Sequence, residues 1–227
     1  IASTVYTSNA VSPEDGVTIQ ATADGVVGQV DLTVGDRAFD ISIGTGNEIE
    51  DQDPSTYLKE FAVFVSDSVG RQVESAALTA SATPIKLVND GSYRKGVWIW
   101  DADNEIWFAA TTIECANEDL NNNGRLDAGE DTNNDGELTP GIIGTISFKD
   151  SISRTNAAGQ ATLELRYPKQ FAVWVGVEVS VFGQSSGSEA RDSQTLILPI
   201  ATTDIASEVN QPPSNPFGFG STCTDPN

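Results

Sequence analysis

The sequence has no histidine and no methionine. Without histidine there is no Ser-His-Asp triad, no imidazole general base and no histidine-ligated zinc. Cysteine is limited to Cys115 and Cys223, too few for a four-thiolate zinc site. Basic residues are scarce: 12 Lys and Arg stand against 33 Asp and Glu, a formal charge of −21. A surface of that sign repels nucleic acid and anionic lipid, so neither is expected as a partner. No apolar run approaches the roughly 18 residues of a membrane span, so direct membrane insertion is not expected. There is no signal-peptide pattern, and without Met the chain reads as a mature or excised segment.

At 227 residues the chain is long enough for one large or two small domains with a real core. Its dominant pattern is short segments of alternating apolar and polar residues, the signature of half-buried strands. They run over 16–23, 28–35, 37–44, 60–70, 76–84, 144–152, 159–168, 171–183 and 195–201. Residues 96–114 predict a hairpin turning around Asp101–Glu105. In 171–183, Val173, Val175, Val177, Val179 and Val181 are expected on one face. Turn signals separate these runs: Asp-Gly at 15–16 and 24–25, Asn-Asp-Gly at 89–91 and Ala-Ala-Gly at 157–159. "GQSSGSEARDS" (183–193) reads as a surface hairpin turn. No amphipathic helix stands out, so the expected class is an all-β sandwich. The Pro-, Gly-, Ser- and Asn-rich stretch 204–227 is a tail unless something ties it down. Cys115 and Cys223 lie in polar, turn-rich surroundings, which favours a disulfide formed in an oxidising compartment. That bond would turn the tail into a strap fastened beside an acidic loop.

The acidic loop has a regular frame. A calcium-binding EF-hand loop offers oxygen at positions 1, 3, 5, 7, 9 and 12, with Gly at 6. Asp119, Asn121, Asn123, the Arg125 carbonyl, Asp127 and Glu130 fill those positions, with Gly124 at the sharp turn. The next 12 residues begin again with Asp131, Asn133, Asp135, Gly136 and the Glu137 carbonyl. Thr139 falls at position 9 and Ile142 at position 12, where it cannot ligate. The second site is therefore incomplete, weaker, or supplied with a carboxylate from Glu118, Glu130 or Asp127. Of the 33 acidic residues, 8 lie between Glu114 and Glu137 with only Arg125 opposing them, a cluster that repels itself without a cation. Calcium is the expected cofactor. A sensor needs flanking helices, whereas strand-like segments flank these loops. The tandem resembles the calcium-wrapped type 3 repeats of thrombospondin, or dockerin loops, and implies a structural ion that folds an insertion.

Trp98, Trp100 and Trp107 lie on the predicted hairpin. They read as core, or as cover for the acidic insertion; a sugar-stacking platform, and with it a carbohydrate-binding module, is the alternative. No nucleophile elbow or phosphate loop is present, so no enzyme is expected. A cleft lined by two carboxylates outside the loops would be the sign of a glycoside hydrolase.

"TNAAGQATLELRYP" (155–168) resembles the T-(D/N)-x-x-G-x-A signature of bacterial Ig-like domains of the invasin/intimin type, and "FAVFVSDSVGRQVESAALTAS" (61–81) resembles the strand pair upstream of it. The resemblance covers residues 37–203 and implies an Ig-like β-sandwich with a calcium-loop insertion at 86–142. It further implies an extracellular or cell-surface module, structural or adhesive, whose partners are adjacent Ig-like domains, identical subunits, or host or surface glycans and proteins. Residues 1–36 then look like the last two strands of a preceding Ig-like domain, or like strands donated to a neighbouring copy in a filament.

Overall fold

The structure is a computed structural model and describes residues 17–23, 25–32, 40–46, 48–67, 69–85, 87, 91–185 and 188–225. It is an all-β, sandwich-like fold. One sheet runs β3 (Asp40–Thr45), β5 (Thr56–Ser66), β10 (Gln160–Pro168), β9 (Thr145–Phe148), with β4 (Glu50–Asp53) also on β5. The second runs β12 (Ser188–Ile197), β11 (Gly176–Ser185), β6 (Ala77–Pro84). All the pairs are antiparallel. Alternation turns Phe61, Val63, Val65, Leu163 and Leu165 of the first sheet and Val177, Val179 and Val181 of the second into one buried core. The layers meet closely at Gly183, where a Cβ would come within 2.7 Å of Ile41 Cδ1, so no larger residue fits there without a shift. Burying the three β11 valines contributes about 1.5–3 kcal/mol each on transfer grounds.

Two further antiparallel hairpins stand apart from these sheets, β1 (Val17–Ala23) with β2 (Val26–Leu32) and β7 (Tyr93–Asp101) with β8 (Ile106–Cys115). The β7–β8 turn falls at 102–105, inside the predicted hairpin. A four-residue helix, α1 (Thr202–Ile205), follows β12. Among the described residues no helix is long and apolar enough to cross a membrane.

Three local expectations change. The strand predicted over 171–183 begins only at Gly176. A 3-10 turn occupies Lys169–Phe171, and Val173 takes φ 66°, a costly conformation for a β-branched residue. That break leaves Val173 out of the valine row and turns Trp174, fully buried, against Trp98 of β7, ring centroids 5.4 Å apart. The stretch 183–193 is mostly strand: β11 extends to Ser185 and β12 starts at Ser188, and the two residues between them lie outside the described set. β4 carries three acids in four residues and gives no apolar signal; its pairing with β5 holds it extended, and Asp53 accepts hydrogen bonds from Ser55 N and Oγ at the turn that follows. The Asp-Gly turn at 15–16 lies outside the described residues, as do Asp24, Asn89 and Asp90 from two of the other three turn signals.

Candidate metal centre

The acidic insertion leaves the end of β8 and returns to the sandwich at β9. The disulfide Cys115–Cys223 closes its base, with Cα atoms 5.5 Å apart across 108 residues of chain. Such a bridge fits an oxidising compartment. It ties the C-terminal stretch over the β7–β8 hairpin. Trp107 Nε1 donates to Ser207 O at 2.8 Å and Trp98 Nε1 to Pro213 O at 2.9 Å. Asn215 Nδ2 donates to Arg94 O, and Phe217 sits between Phe171, stacked at 5.7 Å, and Tyr93 at 4.7 Å.

The two loops share one backbone. Asn122 and Asn134, at position 4 of each, have φ of 56° and 59°; Gly124 and Gly136, at position 6, have 71° and 81°. Asparagine and glycine are the residues that tolerate this region. The hydrogen bonds repeat as well. Asp119 accepts from Asn123 N and Gly124 N at 3.0 and 2.9 Å, and Asp131 accepts from Asp135 N and Gly136 N at 3.1 Å each. Asn121 Oδ1 and Asn133 Oδ1 accept from the amide two residues on, as do Asn123 Oδ1 and Asp135 Oδ1.

Closure of each loop falls to a buried glutamate. Glu130, 5% exposed, accepts from Leu120 N at 3.0 Å and Asp127 N at 2.9 Å, the second and ninth positions of loop one. In loop two the same two positions are Thr132 and Thr139. Their amides donate to Glu118 at 3.0 and 2.9 Å, and Asn133 N adds a third bond at 3.1 Å. Glu118 is 2% exposed, while Ile142, the nominal twelfth residue, is 86% exposed. Of the three acids that the sequence offers to the second loop, Glu118 is the one that accepts from these amides.

Glu118, Asp131 and Asp135 bring one carboxylate oxygen each within 4.8 Å of one another. The first loop's Asp119, Asp127 and Glu130 do not converge to that degree. Asp127 instead accepts from Asn121 Nδ2 at 2.9 Å and Asn123 Nδ2 at 2.8 Å, and these donors hold its carboxyl below the usual range. Arg125 is exposed and, among the described residues, no Lys or Arg forms an ion pair with any of these six carboxylates. Glu137 contributes backbone only and is itself exposed. The donor set is all oxygen, from carboxylate, side-chain amide and carbonyl groups, which suits a hard divalent cation. Tyr93 lies close enough for Glu118 and Asp135 to add to burial in raising its hydroxyl well above the ordinary tyrosine range.

The three tryptophans do not line up as one open platform. Trp98 is buried edge-on against Trp174, and Trp100 and Trp107 meet edge to face at 5.6 Å, both half-buried. Outside the loops, an open groove of about 370 Å³ is lined by Gly46, Glu48, Glu50, Leu58 and Glu60. Lys149 already pairs with Glu60 at 2.6 Å.

Compared with protein-family models, with curated proteins and with solved structures, the chain matches none.

Proposed function

We propose that this chain is an extracellular structural or adhesive module of the bacterial Ig-like kind, its insertion held in shape by two calcium ions. The observation that carries this reading is the closure of loop two by Glu118 in the manner in which Glu130 closes loop one. Two complete frames then exist where the linear motif offers one and a half. Asp119, Asn121, Asn123, the Arg125 carbonyl, Asp127 and Glu130 would hold the first ion. Asp131, Asn133, Asp135, the Glu137 carbonyl and Glu118 would hold the second. Each ion would offset two of the three carboxylate charges around it, in a chain of net −21. Sites of this kind in extracellular modules work at about 10⁻⁴–10⁻³ M calcium. The disulfide and the resemblance of residues 155–168 to invasin/intimin-type domains support the extracellular part. Calcium calorimetry tests the reading: two bound ions per chain and a higher melting temperature are expected. Absence of heat at millimolar calcium, with melting unchanged in chelator, overturns it.

A further inference from the structure

The β1–β2 hairpin is amphipathic, and among the described residues nothing of the core packs on its apolar face. Its register opposes Val17 to Leu32, Ile19 to Val30 and Ala23 to Val26, and cross-strand partners share a face. One face is therefore Val17, Ile19, Ala21, Val26, Val30 and Leu32. The other is mainly polar, with Thr18, Gln20, Thr22, Gln29 and Asp31 beside a single valine, Val27, and with Thr18 Oγ1 donating to Asp31 at 2.6 Å. Val26 is 73% exposed, and none of the apolar six packs against the buried core. A two-stranded sheet is marginal by itself and needs a second layer on its apolar side.

A second two-stranded face of the same kind lies on β7–β8. There Ile99 opposes Phe108 and Val97 opposes Ala110, with Ile106 beyond them. Trp98 and Trp107 of this hairpin pack on the core, so these residues, on the opposite face, point out; Ile99 and Phe108 are 43% and 45% exposed. The two faces match in width, two strands each, and in chemistry. Apart from Asp101, which opposes Ile106, they are also low in charge on a chain of net −21, whose copies otherwise repel.

We infer that the apolar face of β1–β2 in one copy packs on the outer face of β7–β8 in the next. The contact joins two different surfaces, so it is heterologous and repeats head to tail into a chain of copies. It names the partner for the structural reading of function and rests on that reading, but uses none of the loop carboxylates. Stable interfaces engage about 20–30 residues a side, and the hairpin spans only 17–32, so each contact is of the weak class.

The test is complementation of two variants by light scattering behind size exclusion and by sedimentation. Wild type is expected to grow in mass with concentration, and more so at high salt, because salt screens the net repulsion. Val30→Asp and Ile99→Asp are each expected to stay monomeric, while an equimolar mixture gives a two-chain species from the one intact pair of faces. Phe108→Thr serves as a milder acceptor variant if Ile99→Asp misfolds. A monomeric wild type at every concentration overturns the inference, and so does a hairpin closing on its own chain, which gives the same mass. Continued dimerisation of Ile99→Asp alone overturns it in favour of hairpin-to-hairpin pairing, and dissociation at high salt overturns it too. Calcium isotherms recorded on the same variants separate a failure here from a failure of the ion reading.

Discussion

Glu118 does for the second loop what Glu130 does for the first: each buried carboxylate receives the amides of the second and ninth residues of its loop. The two glutamates lie 12 residues apart, and each is followed by the aspartate that opens a loop. The repeat therefore closes on itself as a ring of two units. Glu130 ends loop one and abuts loop two; Glu118 ends loop two and abuts loop one.

Glu118→Gln should consequently remove one calcium site and leave the other, with the affinity of loop two falling by on the order of 10–100-fold or more. Glu130→Gln should do the same at loop one. Ile142→Glu, placed at the linear twelfth position, should not rescue Glu118→Gln, because residue 142 is 86% exposed whereas the loop's amides turn to the buried Glu118 position. Calorimetry on the three variants checks this. Rescue by Ile142→Glu would mean that the loop closes in sequence order.

Much of this was legible in the sequence, for identifiable reasons. The 12-residue spacing fixes both loop backbones because Asn and Gly at positions 4 and 6 accept positive φ. Alternation located the β5, β10 and β11 core, since one face of each strand is sealed by the opposite sheet. The choice among Glu118, Glu130 and Asp127 was not legible. It depends on the chain after Gly136 folding back on residue 118, a contact seen in Glu118 N donating to Thr139 O at 3.0 Å. The recurrence of Glu-Asp at 118–119 and 130–131 was the available signal. β4 was missed because strand pairing, and not side-chain pattern, holds an acidic segment extended. The left-handed Val173 runs against local preference and follows from the placement of Trp174 in the core.

Breaking the disulfide should release the strap. Cys115→Ala with Cys223→Ala removes a cross-link over 108 residues, which chain entropy puts at about 4–5 kcal/mol. Trp98 and Trp107 both donate to strap carbonyls, so their fluorescence should shift to the red as the strap loosens. Thermal melts with and without reductant, read by tryptophan emission, check both effects.

Trp98→Ala should behave as a core truncation, costing about 3–5 kcal/mol, because the ring is 8% exposed and packed on Trp174. Trp100→Ala, at a half-buried position, should cost less. Denaturant titrations rank the two. A loss of glycan binding in folded Trp100→Ala, with stability unchanged, would instead favour the carbohydrate-binding alternative.

Acid should act in part through a cluster outside the loops. Lys169 Nζ contacts Asp204 at 2.8 Å and Asp51 at 2.6 Å, and Tyr57 OH donates to Asp204 at 2.5 Å. Burial works to raise the Asp204 carboxyl, but the hydrogen bonds from Lys169 and Tyr57 outweigh it and hold the group below the ordinary aspartate range. A lowered carboxylate contributes stability that is fully present above its unfolded value, about pH 4, and is lost as pH falls through the lower folded value. Lys169 has the opposite sense. Burial lowers it, Asp204 and Asp51 raise it further, and the net upward shift contributes stability below its unfolded value, about pH 10.4, lost only as pH rises through the folded one. Asp204→Asn should therefore destabilise at pH 7 by about 1–2 kcal/mol, since Asp51 remains for Lys169, and should flatten the acid limb of stability below pH about 4. Urea midpoints of wild type and variant across pH, in chelator to silence the loops, measure this; parallel curves below pH about 4 would show that Asp204 does not carry the acid sensitivity.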